Sequence, residues 1–168
     1  MYLFIRRCCV VSIALASQNL LAQPAIFQDG VLSIPQGAAL ISGEPAYYND
    51  IQLQSDIEGN FTLLAAQQAN LVVVNTVQII VAESFPVQVS VTVSGNLSVP
   101  CVELQTPATI RTGTLFSVVL AETSLGPAES CIAIVQPFFD QNIKLDVDGL
   151  PTGTYTVSVN GIEAEFTL

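Results

Sequence analysis

Four oxygen-bearing side chains crowd the stretch FDQNIKLDVDG: Asp140, Asn142, Asp146 and Asp148. Carboxylate and carboxamide oxygens are hard donors, and calcium is the ion they suit. The spacing is not that of an EF-hand loop, because donors do not recur at the required alternate positions and no Glu closes the run. A solvated polar strand edge is the competing reading, and the stronger of the two; calcium is the only cofactor the chain suggests. The same stretch holds Lys144, the chain's only lysine. A Ser-Lys hydrolytic dyad would have to use it, but it sits on the polar face beside Asp146, where a surface ion pair accounts for it.

Other catalytic chemistry is sparse. The chain has no His, so the usual general base and triad partner are missing. A carboxylate pair could cleave glycosides, yet no aromatic groove accompanies one and Trp is absent. A hydrolase therefore ranks behind non-enzymatic readings. Cys101 and Cys131 are the thiols downstream of the N-terminal segment. Two cysteines in an exported chain pair as a disulfide, and closing a loop of about 30 residues stabilises by roughly 3–4 kcal/mol in the chain-entropy model. A zinc pair is the rival, and it would need further His or Cys ligands.

Export is expected from the first residues. Arg6-Arg7 forms a positive n-region, CCVVSIALA a short apolar core, and SQNLLA a more polar end. This reads as a signal peptide over residues 1–22, cleaved after Ala16 or Ala22. A retained membrane anchor is the weaker reading, because Ser17-Gln18-Asn19 interrupts the apolar run well before the ~20 residues a span needs. No membrane span is expected after cleavage. A lipid-modified Cys is weaker still, since Cys8 and Cys9 open the apolar run rather than follow it. Cleavage removes Arg6 and Arg7, leaving Arg111 and Lys144 against 14 carboxylates, a formal charge of 2 − 14 = −12. Phosphate backbones need Lys and Arg, so nucleic acid is excluded as a partner, and anionic membrane surfaces are disfavoured.

The elements that must position these residues read as strands. The closing segment GLPTGTYTVSVNGIEAEFTL alternates apolar and polar residues around Asn160-Gly161, the dipeptide that a two-residue type I′ hairpin turn favours. A turn there pairs Tyr155 with Phe166, Val157 with Ala164 and Val159 with Ile162 on a dry face. It pairs Thr154 with Thr167, Thr156 with Glu165 and Ser158 with Glu163 on a wet one. A slip by one residue would bury both glutamates. Upstream, a small β-meander is expected over residues 25–68: a short strand Val31–Ile34 broken at Pro35-Gln36-Gly37, then AYYNDIQLQ, a turn at SDIEGN and a strand in FTLLA. Tyr47-Tyr48 would bury one ring and leave the other nearer solvent. Residues 71–168 form the second block. Its first part is ambiguous: periodicity does not decide strand or helix over residues 67–82. VQVSVTVS, VPCVELQ, GTLFSVVLAE, CIAIVQPFF and NIKLDV read as further strands, with SLGPAES as a loop. Short strands at near-regular spacing, split by Gly and Pro, indicate an all-β sandwich or barrel. Whether the two blocks are one domain or two stays open.

LPTGTYTVSV resembles the penultimate strand of immunoglobulin-like and fibronectin III-like sandwiches, where a Tyr opening the strand bonds back to upstream backbone. Leu150, Gly153 and Tyr155 take the corner positions. The resemblance implies an immunoglobulin-like antiparallel sandwich over the last 80 residues or so, behind the N-terminal β-meander. The chain departs from the immunoglobulin pattern in having Val157 where the second cysteine would fall, and no Trp. FQDGVLSIP, YNDIQL and GNFTL are similar to a short module at the start of secreted proteobacterial proteins, which implies export to the periplasm or beyond. The expected function is an exported, non-enzymatic binding or structural module that contacts a protein or a surface glycan, as a monomer or in weak self-association. A subunit of a surface assembly, pairing through the edge of the apolar VVVNTVQIIV, is the alternative.

Overall fold

The structure, a computed structural model, describes residues 24–127 and 129–168. Residues 1–23, which include the expected signal peptide with Cys8 and Cys9, lie outside them. Eleven strands follow in order: β1 (Ile26–Gln28), β2 (Val31–Ile41), β3 (Glu44–Ser55), β4 (Phe61–Gln68), β5 (Val73–Ala82), β6 (Gln88–Leu97), β7 (Ala108–Thr112), β8 (Leu115–Val119), β9 (Gln136–Leu145), β10 (Thr154–Val159) and β11 (Ile162–Thr167). The protein is all-β among the described residues, and no helix there is long and apolar enough to cross a membrane. β1 to β4 form one antiparallel meander, in that order. The β-sandwich stacks sheet β5-β6-β9 on sheet β11-β10-β8-β7. Residues 67–82, ambiguous in sequence, end β4 and build β5.

Turn chemistry sets the meander. Asp29-Gly30 and Ser42-Gly43 have both residues at positive φ, and each separates strands that pair Gln28 with Val31 and Ile41 with Glu44. These are two-residue hairpins whose twist matches the strands. At the β3–β4 turn the Asp56 carboxylate accepts from the Asn60 side chain at 3.0 Å and from the backbone N–H of Glu58 and Asn60. Those bonds, the Asn60 side chain first, hold its pKa below the ordinary value. β2 does not break at Pro35, as the sequence suggests; it runs unbroken to Ile41. β1 covers β2 only as far as Ser33, so Pro35 sits where β2 is paired on one side alone, and its missing N–H costs little there.

The sandwich core follows from alternation. Val89, Val91 and Val93 of β6 are fully buried, as are Val157 and Val159 of β10, and they meet Phe116, Val118 and Leu120. Each such side chain contributes about 1.5–3 kcal/mol on burial. Tyr155 and Phe166 stack at 5.4 Å, and Phe116 lies 6.0 Å and 6.1 Å from the two rings. The β10–β11 register is the one the Asn160-Gly161 turn dictates, pair for pair, from Val159↔Ile162 to Thr154↔Thr167. Gly95 permits close approach: a Cβ there would strike the Val73 carbonyl and the Phe138 ring, where both β6 ladders shift register.

Two segments differ from the strands expected of them. VPCVELQ is loop with one isolated bridge, Leu104↔Glu122, and the residues before Gln136 in CIAIVQPFF are unpaired. In the first, Val102 is buried in the core, so burial of alternate side chains produced the pattern without a ladder. In the second, Ile132, Ile134 and Val135 are exposed. These segments carry Cys101 and Cys131, which form a disulfide with a Cα separation of 6.1 Å. It staples the loop after β6 to the loop before β9.

One pairing is parallel: β10 runs alongside β8, Val157 opposite Phe116. Hairpins cannot make this connection; the chain crosses to the other sheet as β9 and returns. Asn160 closes the junction. Its Oδ1 accepts from the Leu120 N–H at 3.0 Å, and its Nδ2 donates to the carbonyls of Leu120 at 2.8 Å and Val72 at 3.0 Å. A turn residue thereby ties the β5 entry, the end of β8 and the last hairpin together. Replacing Asn160 with Gly keeps the positive φ of the turn but deletes these bonds. Urea unfolding is expected to show a loss of about 2 kcal/mol, at roughly 1 kcal/mol per bond with partial rehydration, and an unchanged m-value.

Candidate functional site

The meander docks on the sandwich through one face. Tyr47 and Ala69 bury against Val119 and Ala121, with Ala38, Leu71 and Ala108 packed around them. The Tyr47 hydroxyl donates to the Thr106 carbonyl at 2.8 Å and lies 3.2 Å from Gln36 Oε1. The Glu122 N–H donates to the Asn70 carbonyl at 3.0 Å, and Leu71 bridges Ala121. The apolar contact ends where the face turns polar.

Beyond that point a cleft opens, with a volume of about 360 Å³, lined by Pro35, Gln36, Asn49, Asp50, Gln67, Gln105, Thr123 and Ser124. Register builds its meander wall. Gln36 pairs with Asn49, and Asn49 pairs with Gln67. Directly opposed residues on neighbouring strands share a face, and strands lie about 4.8 Å apart. Three carboxamides therefore stand in a row across β2, β3 and β4. A bulge shapes the row's end: Asp50 has φ 51°, and the β3–β4 ladder shifts between Asn49 and Gln52. Bulges re-aim side chains and gather at binding sites.

The opposite wall comes from the sandwich loops. Gln105 is buried, and its Nε2 donates to the Glu122 carbonyl at 2.9 Å. Its Oε1 is buried without any hydrogen-bond partner. A buried acceptor left unpaired costs about 1–3 kcal/mol. Glu122 itself is buried and accepts from the Ser98 N–H at 2.7 Å. The Thr123 hydroxyl accepts from the Glu103 N–H at 3.0 Å. Among the lining residues Asp50 is the one ionisable side chain. The cleft thus offers amide donors and acceptors, hydroxyls and one carboxylate.

The residues singled out in sequence fall elsewhere. Asp140, Asn142 and Asp146 alternate along β9 and its extension, all exposed, and Asp148 follows at the turn. At about 3.3 Å per residue, Asp140 and Asp146 stand roughly 20 Å apart, whereas calcium draws its oxygens to about 2.3–2.6 Å. The Asn142 Nδ2 donates to the hydroxyls of Ser90 at 3.3 Å and Thr92 at 3.4 Å on β6. Among the described residues no cluster of three or more His, Cys, Asp or Glu could hold a metal ion. At the corner, the Tyr155 hydroxyl donates to the Pro151 carbonyl at 2.8 Å, Leu150 packs on the core, and Gly153 exchanges backbone bonds with Leu168. The cleft residues gave no motif in sequence. The only local signal was Pro35-Gln36-Gly37, which marked the place but read as a break.

Fold and cleft together define an all-β protein with a β-sandwich and a recess where an N-terminal meander leans on it. Over residues 91–168 the chain is similar to the ORF11 beta-sandwich domain, whose family model matches there. That stretch runs from mid-β6 to the C-terminus. No curated protein and no solved structure matches the chain.

Two outcomes are expected. Burial raises the Tyr47 pKa above its ordinary 10.0. The folded state therefore holds this proton more tightly than the unfolded chain does. Its contribution is complete below about pH 10 and is lost as pH climbs through the higher folded value. Tyr47→Phe should cost about 1 kcal/mol at neutral pH, and a pH series of melts should show it losing less stability than the parent above about pH 10. Millimolar calcium is expected to leave the melting temperature unchanged, since only an ion that binds the folded state raises it; a saturable rise would assign the β9 donors a site.

Proposed function

We propose that the protein is an exported, non-enzymatic binding module, and that the cleft between meander and sandwich takes a neutral, hydroxyl-rich ligand such as a surface glycan. The observation that carries this is the carboxamide row Gln36–Asn49–Gln67 on one wall of the cleft, with Thr123 and Ser124 in the other. Amides bond hydroxyls in both directions. Charge selects against acids: Asp50 sits in the lining and the chain carries −10 overall. A non-enzymatic role is supported by the chemistry of the lining, since one carboxylate without His supplies neither the acid–base pair of a glycosidase nor a triad.

Export is supported by the disulfide, which persists in oxidising compartments, and by the n-, h- and c-region pattern of residues 1–22. Of the two resemblances, the immunoglobulin-like reading of the sandwich is supported by the Tyr155–Pro151 bond. The parallel β8–β10 pair is where it departs from that pattern. The N-terminal module's likeness to secreted proteobacterial proteins fits the same location.

Calorimetric titration with a panel of neutral and acidic oligosaccharides tests the cleft. A neutral ligand should bind, its acidic counterpart more weakly. Asn49→Ala and Gln67→Ala should each weaken binding about tenfold, equivalent to roughly 1.4 kcal/mol, with Gln67→Ala, at an exposed position, holding the melting temperature. Binding indifferent to both substitutions would move the site elsewhere, and silence across the panel would remove the glycan reading.

A further inference from the structure

Asn160 is the only asparagine of the chain that precedes a glycine; the others precede Asp, Phe, Leu, Thr or Ile. Asparagine is a chemically labile residue, and the residue that follows it sets how fast it reacts. The backbone nitrogen of Gly161 can attack the Asn160 Cγ with no Cβ to obstruct it. A bond forms between that nitrogen and Cγ, the bond from Cγ to Nδ2 breaks, and ammonia leaves. Water then opens the succinimide ring to aspartate or isoaspartate. The fold acts on the leaving group. Nδ2 donates to the carbonyls of Leu120 at 2.8 Å and Val72 at 3.0 Å, and Oδ1 accepts from the Leu120 N–H at 3.0 Å. The Asn160 N–H also donates to the Val118 carbonyl at 3.2 Å. Attack makes Cγ tetrahedral and expels Nδ2, so both bonds through that nitrogen must break whatever the direction of approach.

We propose that Asn160 is a deamidation site which the folded protein protects and the unfolded chain exposes, so that unfolding becomes one-way once the amide is lost. The products fit the junction poorly. Aspartate keeps an acceptor for the Leu120 N–H, but it turns carboxylate oxygen towards the carbonyls of Leu120 and Val72, where two donors stood. Those half-buried acceptors then lose their partners. Isoaspartate adds a backbone carbon inside a two-residue turn. That turn sets the hairpin register from Val159↔Ile162 to Thr154↔Thr167, and Tyr155, Val157, Val159 and Phe166 reach the core only in that register. Chemical change in the unfolded state outrunning refolding is what makes unfolding irreversible. Asp29-Gly30 and Asp148-Gly149 can close the same ring, but by losing water, which hydrolysis restores with no change of mass. Conversion at Asn160 is therefore distinguishable from both.

Parallel ageing of native and guanidinium-unfolded protein in mildly alkaline buffer, with the disulfide intact, tests this. Trypsin cutting after Lys144 releases residues 145–168, in which Asn160 is the only carboxamide side chain, and mass spectrometry of that peptide follows its conversion to acid. With three bonds to release, the native chain should convert at least about tenfold more slowly. On removal of the denaturant, recovery of the native near-ultraviolet dichroism should fall in step with conversion. Asn160→Gly has no carboxamide to lose and should recover in full after the same ageing. Ageing the unfolded parent in mildly acidic guanidinium, where the attacking nitrogen is rarely deprotonated, should also preserve recovery, and this arm stands should Asn160→Gly fail to fold. Equal conversion in the two states, converted chains that regain the parental melting temperature, or a recovery lost equally in the acid-aged chain overturns the proposal.

Discussion

Burial of both faces of β8 is the constraint on which the two halves of the molecule depend. Phe116, Val118 and Leu120 point into the sandwich, while Val119 and Ala121, in the same run, face the meander. A strand wet on one side alternates; a strand covered on both reads as a continuous apolar run, and LFSVVLA is one. Its backbone is held as firmly as its side chains. β7 and β10 flank it, the second in parallel, and Asn160 bonds both the N–H and the C=O of Leu120 where the ladder ends. Removing the meander would expose Val119 and Ala121; removing β10 would unseat Phe116 from its aromatic neighbours.

The cleft is the consequence of fitting a long sheet to a shorter one. The meander's inner face is apolar where it covers β8, at Ala38, Tyr47 and Ala69, and polar one pair further on, at Gln36, Asn49 and Gln67. Once the sandwich stops, that face needs hydration or a ligand. Asp50 and the β3–β4 shift bend the strands at the changeover. The sandwich loops supply the second wall through Gln105, which is held by the Glu122 carbonyl yet left with an unpaired oxygen. Buried polar groups are nearly always satisfied, which is why this one marks the recess as unlike the rest of the interior.

Charge distribution complements that arrangement. An acidic chain with 4 basic residues in 168 keeps its copies apart through most of its surface, and the strand edges of the sandwich add carboxylates, a proline and a bulge to the same end. Two long outer strands, β4 in the meander and β5 in the sandwich, carry neither charge nor proline. Apolar exposure runs along both β4 (Phe61, Leu63, Leu64) and β5 (Val73, Ile80, Val81), and differs from the exposed Ile132, Ile134 and Val135, which lie outside the strands.

Local chemistry was most legible at the C-terminal hairpin. The Asn160-Gly161 turn and the strict alternation around it determined the last hairpin to the residue, because a period of two and a two-residue turn admit a single register without burying Glu163 and Glu165. The all-β class and the Cys101–Cys131 bond were legible for similar reasons: composition and cysteine count carry them. The sequence by itself therefore determined most of the strands facing a core; it left residues 67–82 undecided between strand and helix, broke β2 at a Pro35 that is harmless on a half-paired strand, and overcounted the loops at Val102 and Ile132, where apolar character did not mean pairing. Only the tertiary structure decided which residues share a place. Gln36, Asn49, Gln67 and Gln105 are ordinary polar positions until register and docking bring them to one cleft. Asp140, Asn142 and Asp146 are neighbours in sequence that an extended strand holds apart. The physical reason is the same in both cases: strand extension separates what is close in the chain, and cross-strand and sheet-to-sheet contact joins what is distant.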